Sequence, residues 1–213
     1  MKKKYKNYWR KTGLKQKGVG DFLLNHIKQK KPKNFLEIGV FHGVTSRNVC
    51  ELLHSIHGNN FKFTGVDLFS DNTNALSDEH IPNTKFSNPL KTIYYNHIIK
   101  LNPYSVQSVL KLLRKFKNNV NIIKGNSNKV LKEISLEKFD YVFLDGGHKF
   151  ETVKYDLESL TQVINNNGTI VCDDYNFLQA PGVKSAIDSY VLEKNFKLKI
   201  LCARFAEIIK NNL

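Results

Sequence analysis

Two short apolar runs in the sequence end at aspartates. The run 141–144 (YVFL) leads into Asp145, and the run 169–172 (TIVC) leads into Asp173 and Asp174. Short runs that are rich in β-branched and aromatic residues are typical of buried strands. Parallel strands end at the same edge of a sheet, and open α/β folds bind their ligands at that edge. We therefore expect the three aspartates to lie close together in a ligand site.

Strands and helices alternate along most of the chain, as the spacing of its apolar residues indicates. Strands are predicted at 34–38, 61–66, 120–124, 141–144, 169–172, 196–201 and 206–210. Helices are predicted at 20–30, 44–57, 129–134, 149–164 and 183–193, with a turn at 165–168 ending the fourth of them. This βαβα order predicts an α/β fold, with a Rossmann-like seven-stranded sheet, helices on both faces and the last strand antiparallel.

The chain has 213 residues, which is long enough for one domain with a substantial core. We assign residues 1–33 to a basic N-terminal arm and helix, and residues 34–213 to the main domain. Residues 68–119 are too long for a single connection and are interpreted as an insertion, with a polar half at 70–88 and a helix at 104–116. The insertion is either a lid over the site or a purely structural excursion or oligomer contact. The aromatic residues of the arm likewise either fold over a site or pack on the domain.

The chain carries a formal net charge of +14. Dense basic runs occur only at 1–17 and 28–33, whereas the other lysines are spread along the whole sequence. A dispersed basic surface is more often a solvated face than a nucleic-acid site. We therefore treat nucleic acid as an alternative rather than the favoured partner, keep anionic substrates and membrane surfaces open as partners, and allow for a homo-oligomer.

No uninterrupted apolar stretch of the sequence approaches the roughly 20 residues of a membrane span. The three cysteines, Cys50, Cys172 and Cys202, are far apart and form no C-x-x-C motif. Cys50 and Cys172 lie in apolar patterns, and we interpret them as small core residues. A reduced, cytoplasmic setting is therefore expected.

The end of the first predicted strand and the turn after it carry Glu37, Gly39 and Gly43. Glycines at such a turn let the backbone approach a ligand closely. Their spacing is G-x-x-x-G, which matches neither the dinucleotide fingerprint nor a phosphate-binding loop. Glu37 would present a negative charge that suits an ammonium or a hydroxyl group. The alternative is a glutamate that is paired with a neighbouring lysine.

Polar residues also follow the second and third predicted strands. Asp67 ends the second strand, and an acid at this place can hold two ribose hydroxyls. Asn126 and Ser127 follow the third strand, where they could hydrogen-bond the edge of a base. Together with the aspartates after the later strands, these residues predict a nucleoside site beside an acidic site.

In these features the chain resembles the class I S-adenosylmethionine-dependent methyltransferases, over roughly residues 34–210 apart from the insertion. The resemblance implies that Glu37, Gly39 and Gly43 lie against the methionine part of the cofactor and that Asp67 binds its ribose. It also places Asn126 and Ser127 near the adenine, where Asn126 departs from the more usual aspartate. The closing antiparallel strand pair fits this family and disfavours a fold that binds NAD.

A narrower resemblance connects Asp145-Gly-Gly-His148 and Asp173-Asp174 to the metal-dependent O-methyltransferases, especially the enzymes that methylate sugars in macrolide and aminocoumarin pathways. It implies that Asp145, Asp173 and Asp174 bind Mg²⁺, that Asp145 also borders the cofactor, and that His148 is the catalytic base. Oxygen ligands alone suit Mg²⁺ or Ca²⁺ better than zinc. The alternatives are a helix cap or turn for the aspartate pair, and a backbone-bonded residue at a helix start for His148.

The resemblance implies a metal-assisted O-methyltransferase that uses S-adenosylmethionine and acts on a hydroxyl of a sugar or small natural product. A nucleic-acid methyltransferase is the second reading, although the base-methylating signature N/D-P-P-Y/W is missing after the fourth strand. A third reading is a non-catalytic, cofactor-binding domain that serves as an interaction partner.

Overall fold

The computed structural model describes residues 4–69, 86, 88–134, 138–202 and 204–209. The strands are β1 (Asn34–Ile38), β2 (Lys62–Asp67), β3 (Val120–Lys124), β4 (Phe139–Leu144), β5 (Ile164–Cys172), β6 (Lys197–Ile200) and β7 (Ala206–Ile209). The helices are α1 (Val19–Lys30), α2 (Val44–His57), α3 (Pro89–Ile93), α4 (Val106–Leu113), α5 (Ser127–Glu133), α6 (Phe150–Val163) and α7 (Pro181–Glu193). A π-helical turn (94–99) follows α3, and a 3₁₀ turn (114–116) follows α4.

The strands form one seven-stranded sheet in the order β3-β2-β1-β4-β5-β7-β6. The pairs β3–β2, β2–β1, β1–β4 and β4–β5 are parallel, whereas β7 is antiparallel to both β5 and β6. The predicted Rossmann-like sheet with its last strand antiparallel is therefore confirmed. The direction of the strand order reverses between β1 and β4, and such a switch point opens a crevice at the carboxyl ends of the strands.

The sheet has a buried core on each face, because successive residues of a strand point to opposite sides. Leu36 and Val142 belong to a core that includes residues of α5, α6 and α7. Phe35 and Phe143 belong to the other core, which includes residues of α1, α2 and α4. Helices thus cover both faces, as predicted. None of the helices in the described ranges is long and apolar enough to cross a membrane.

Two sequence-based element predictions need correction. The turn predicted at 165–168 is instead a bulged extension of β5, which begins at Ile164. Asn165 Nδ2 donates to Asp140 Oδ1 at 2.6 Å, which ties the start of this extension to β4. The helix predicted at 104–116 begins later, since the Ser105 hydroxyl caps α4 by accepting from the Ser108 amide at 3.2 Å. Most of the polar half predicted at 70–88 lies outside the described residues.

A buried polar network fastens α1 to the sheet. His26 Nδ1 lies 2.9 Å from the hydroxyl of Tyr141 in β4, and its Nε2 lies 3.5 Å from Glu207 Oε2 in β7. Lys30 Nζ lies 2.6 Å from Glu207 Oε1. The hydrogen bond to His26 and the Lys30 contact lower the pKa of Glu207 to about 2, against the opposing effect of burial. The ionised carboxylate of Glu207 thus stabilises the attachment of α1.

Replacing Glu207 by Gln should lower the free energy of unfolding at pH 7 by about 2 kcal/mol, because charged hydrogen bonds are lost from a buried place. The pKa of Glu207 is lower in the folded protein than in the unfolded chain. Its stabilising effect is therefore present above about pH 4.5 and is lost as the pH falls towards about 2. Urea unfolding from pH 7 to pH 3 should show the difference between the two proteins shrinking. A constant difference in unfolding free energy across that range would contradict the assignment of a stabilising, ionised Glu207.

Candidate active site

Three aspartates come together at the carboxyl edge of the sheet, as the strand ends predict. Asp145 follows β4, and Asp173 and Asp174 follow β5. One carboxylate oxygen from each lies within 4.8 Å of the other two. The parallel hydrogen-bond ladder continues into this cluster, since the Asp145 amide donates to Ile38 O at 2.8 Å and the Asp173 amide donates to Leu144 O at 2.9 Å. The backbone hydrogen bonds of the sheet therefore fix the backbone positions of Asp145 and Asp173, from which their carboxylates project. We call these three residues the acidic cluster.

Arg204 contacts the acidic cluster from the segment between β6 and β7. Its guanidinium donates two hydrogen bonds to Asp173, the one from Nη2 at 2.7 Å, and Nη2 also lies 2.9 Å from Asp174 Oδ1. Sequence reasoning missed this residue. The signal that could have found it is the antiparallel pairing of Cys172 with Ala206, which brings the residues before β7 beside the residues after β5.

His148 lies beside the acidic cluster, in the loop between β4 and α6. Its Nε2 is 3.2 Å from Asp174 Oδ2. Asp174 has a left-handed backbone with φ of 57°, a conformation that aspartate tolerates better than most residues and that occurs often at functional sites. The predicted metal ligand and the predicted base are thus in direct contact.

A cavity of about 260 Å³ opens next to the acidic cluster. Of the residues predicted to form the site, Gly39, Asp67, Asn126, Ser127, Asp145, His148 and Asp174 line it. Glu37, Gly43 and Asp173 are not among the lining residues. The nucleoside part and the acidic part of the predicted site therefore share one cavity, with three of the predicted residues behind its wall.

The N-terminal arm forms part of the same cavity, although its aromatic residues Tyr5, Tyr8 and Trp9 are not among the lining residues. Lys11, Thr12 and Gly13 line it. The hydroxyl of Tyr5 lies 2.8 Å from the hydroxyls of both Thr12 and Thr45, which tie the arm to α2. Further along the arm, the buried Arg10 donates to the backbone carbonyls of His42 at 3.0 Å and Ser108 at 2.9 Å. The arm thus borders the cavity through Lys11 to Gly13, while its aromatic residues pack on the domain.

The sequence matches a family model described as a methyltransferase domain over residues 36–175. The chain belongs to this methyltransferase family. It is a class I enzyme that depends on S-adenosylmethionine. A search of curated proteins gives no match.

Solved structures of other methyltransferases share the fold. The O-methyltransferase NovP is 17% identical, with a TM-score of 0.66 over 91% of this chain and 81% of its own. A putative caffeoyl-CoA O-methyltransferase from Staphylococcus aureus is 18% identical, with a TM-score of 0.60 over 91% of this chain and 83% of its own. CalS11, a TDP-rhamnose 3′-O-methyltransferase of calicheamicin biosynthesis, is 13% identical, with a TM-score of 0.62 over 93% and 82%.

Gly39 lets two backbone segments of the methyltransferase meet at the cavity. Its φ is 92°, and a Cβ atom at this position would lie 1.8 Å from the carbonyl oxygen of Asp145. Only glycine fits there without moving the segment that carries Asp145. Gly43, which also stays a prediction for cofactor contact, lies against α4, where an added Cβ would lie 3.0 Å from Val109.

Glu37 is completely buried behind the cavity wall. Ser46 donates a short hydrogen bond to Glu37 Oε2, whereas Oε1 has no hydrogen-bond partner. Burial raises the pKa of Glu37 to about 8, the Ser46 hydrogen bond lowers it, and the charge of Asp67 raises it further. No ion pair of Glu37 with a lysine occurs among the described residues, so the alternative of a paired glutamate is not favoured.

Asp67 and Asn126 are already held by neighbouring donors. Asp67 accepts from the amide of Phe41 at 2.7 Å and from the hydroxyl of Tyr104 at 2.8 Å. Tyr104 also lines the cavity, and sequence reasoning did not single it out. Asn126 caps α5 by accepting from the amide of Asn128 at 2.9 Å. These contacts orient both side chains at the cavity without requiring a ligand.

The acidic cluster has the electrostatics of a cation site. Burial raises the pKa of Asp145 well above its usual range, and the charges of Asp173 and Asp174 raise it further. Burial also raises the pKa of Asp173 to about 6, although the hydrogen bond from Arg204 counteracts this. Added positive charge would therefore stabilise the cluster. Because its donors are carboxylate oxygens, these residues fit a hard divalent ion such as Mg²⁺.

Proposed function

We propose that the enzyme transfers a methyl group from S-adenosylmethionine to a hydroxyl oxygen of a sugar or small natural product, with help from a divalent metal. The observation that carries this proposal is the contact of His148 with Asp174 beside the acidic cluster, on the cavity that Asp67 and Asn126 also line. A base and a cation site next to a nucleoside pocket match the needs of a hydroxyl acceptor. Neutral hydroxyls are weak nucleophiles until a proton can leave.

In the proposed reaction the cofactor would supply the methyl group on a sulfonium, and a metal held by Asp145, Asp173 and Asp174 would supply electrostatic activation of the acceptor hydroxyl. His148 takes the hydroxyl proton as the new C–O bond forms and the S–CH₃ bond breaks. A neutral imidazole has one donor and one acceptor nitrogen. Nε2 lies 3.2 Å from Asp174 Oδ2. Asp174 thereby orients the ring.

The arm contributes to the proposed reaction by enclosing the reactants. Lys11, Thr12 and Gly13 form part of the cavity wall, and Tyr5 holds that wall to α2. Methyl transfer gains much of its rate from holding the two reactants in line. An enclosed cavity also keeps bulk water away from them.

The structurally similar proteins support the choice of acceptor. NovP is named an O-methyltransferase, and CalS11 is named a TDP-rhamnose 3′-O-methyltransferase. Both share the fold across most of their length. The sugar hydroxyl is therefore the first acceptor class to test.

Two buried, unpaired thiols, Cys50 and Cys172, support a reduced cytoplasmic setting.

Removing divalent metal should lower methyl transfer by at least about tenfold, since activation of the hydroxyl would be lost. The measurement is formation of S-adenosylhomocysteine from a panel of nucleotide sugars and small glycosides, with EDTA and after Mg²⁺ is restored. An Asp145→Asn variant should be slow under both conditions and should gain little from Mg²⁺.

Asp140→Asn is the matched control, because Asp140 contacts Asn165 and the amides of Lys33 and Asn34 rather than the cavity. It should respond to EDTA as the natural enzyme does. Full turnover in EDTA would remove the metal from the proposed function. Cofactor binding without turnover on any hydroxyl acceptor would favour the non-catalytic reading.

A further inference from the structure

Arg204 places a positive charge on the oxygens that a metal would need. Its Nη2 lies 2.7 Å from Asp173 Oδ2 and 2.9 Å from Asp174 Oδ1, and its Nε donates to Asp173 Oδ1. A planar guanidinium that donates two hydrogen bonds to one carboxylate makes a strong and geometrically specific contact. Two of the three predicted metal ligands are therefore already bound to a cation of the protein itself.

Asp173 has little capacity left for another partner. Its Oδ1 accepts from the Asp174 amide at 2.7 Å as well as from Arg204, and these donors use both lone pairs of that oxygen. Asp173 is only 2% exposed, and its carboxylate lies within the acidic cluster. An ion that binds Asp173 must therefore compete with hydrogen bonds from Arg204.

The guanidinium of Arg204 can move into solvent when it is displaced from the acidic cluster. The side chain of Arg204 is 21% exposed, and the residue lines the cavity. A displaced guanidinium can therefore regain hydrogen bonds from water, which a fully buried arginine could not do. Exchange between the two cations does not require the sheet to open.

We propose that Arg204 and a divalent metal ion are alternative counter-cations of the acidic cluster, so that metal binds Asp173 as the guanidinium leaves it. The inference rests on the metal site of the proposed function. Arg204 is a positioning residue in this view, because it acts on the metal through Asp173. It sets how tightly the cluster binds metal and stabilises the cluster when metal is scarce.

Two effects follow for a variant that lacks the guanidinium. The three carboxylates repel one another without a compensating charge, so the metal-free variant should melt at a lower temperature than the natural protein. In this variant the metal no longer competes with the charged hydrogen bonds from Arg204 to the carboxylates. The dissociation constant of the metal should therefore fall by about 10- to 100-fold. A merely structural role for Arg204 would produce the first effect without the second.

The test is a titration of the protein with Mn²⁺ alone, in the absence of acceptor. Binding is measured by calorimetry and by the electron paramagnetic resonance signal of the free ion. Arg204→Met should bind Mn²⁺ about 10- to 100-fold more tightly than the natural protein. Its melting temperature should be lower in EDTA and should rise more on addition of Mn²⁺. Lys154→Met is the control for loss of one positive charge, because Lys154 pairs with Glu193 at 3.1 Å, away from the cluster. It should bind Mn²⁺ as the natural protein does.

Equal or weaker binding of Mn²⁺ by Arg204→Met would overturn the inference, because the guanidinium would then be organising the metal ligands. Should that variant fail to fold, Arg204→Lys keeps the charge without the paired hydrogen bonds and should still bind Mn²⁺ more tightly than the natural protein. Equal affinity of Arg204→Lys and the natural protein for Mn²⁺ would also overturn the inference. The titration needs no turnover, so a natural enzyme that is fully active in EDTA would defeat the metal role in catalysis and leave this result standing.

Discussion

A Gly39→Ala variant should lose at least about 3 kcal/mol of unfolding free energy, together with its binding of S-adenosylhomocysteine. The new Cβ atom would lie 1.8 Å from the Asp145 carbonyl oxygen, so either β1 or the segment after β4 must move. The backbone φ of 92° adds strain for any residue with a side chain. Urea denaturation and calorimetric titration with S-adenosylhomocysteine measure the two losses.

Gly18 offers a matched control for this substitution. Its φ of 84° is similar, but an added Cβ would have no atom within 4 Å. Gly18→Ala should therefore cost only about 1 kcal/mol through backbone strain and should keep cofactor binding. If the two variants lost the same stability, the close approach of Gly39 to Asp145 would not be what holds these segments in place.

A His148→Ala variant should reduce the rate of methyl transfer by about 10²- to 10⁴-fold, the range expected for loss of a general base. Its affinity for S-adenosylhomocysteine should stay close to that of the natural enzyme, because His148 is assigned to the acceptor side of the cavity. Single-turnover measurements with saturating cofactor would isolate this step from product release.

His57→Ala is the control for this variant, because His57 is a surface residue whose Nε2 lies 3.1 Å from the backbone oxygen of Lys31. It should leave the transfer rate unchanged. A His148→Ala rate within about threefold of the natural enzyme would show that another group or water takes the proton. A matching loss of cofactor affinity would move His148 from the acceptor side to the cofactor side of the cavity.

The sequence predicted the parallel part of the fold well, for a simple physical reason. The observed bounds of β1 and α2 agree with the predicted 34–38 and 44–57, because their apolar spacing is strong and glycines flank the helix. The acidic cluster was also predictable. Once Asp145 and Asp173 are known to end parallel neighbouring strands, the sheet itself brings them together.

Other parts of the site depend on tertiary contacts that local patterns do not contain. Arg204 reaches the cluster only because of the register between β5 and β7, and nothing near Arg204 in the sequence encodes that register. Lys11 lines the cavity at a place where Tyr5 ties the arm to α2 and Arg10 ties it to α4. The resemblance assigned Gly43 to the cofactor, and the packing of Gly43 against Val109 is a tertiary contact that the turn itself does not show.

The position of β7 in the sheet also sets an order of assembly. β7 lies between β5 and β6 although it follows both in the chain, and within the described ranges β6 pairs with β7 alone. On the ribosome, β1 to β5 can therefore pair while β6 is still without a place in the sheet. During that interval Asp173 has no guanidinium beside it, since Arg204 is made after β6. Arg204 therefore lies beside Asp173 only once β7 has paired with β5, so this one late strand completes both the order of the sheet and the charge balance of the acidic cluster.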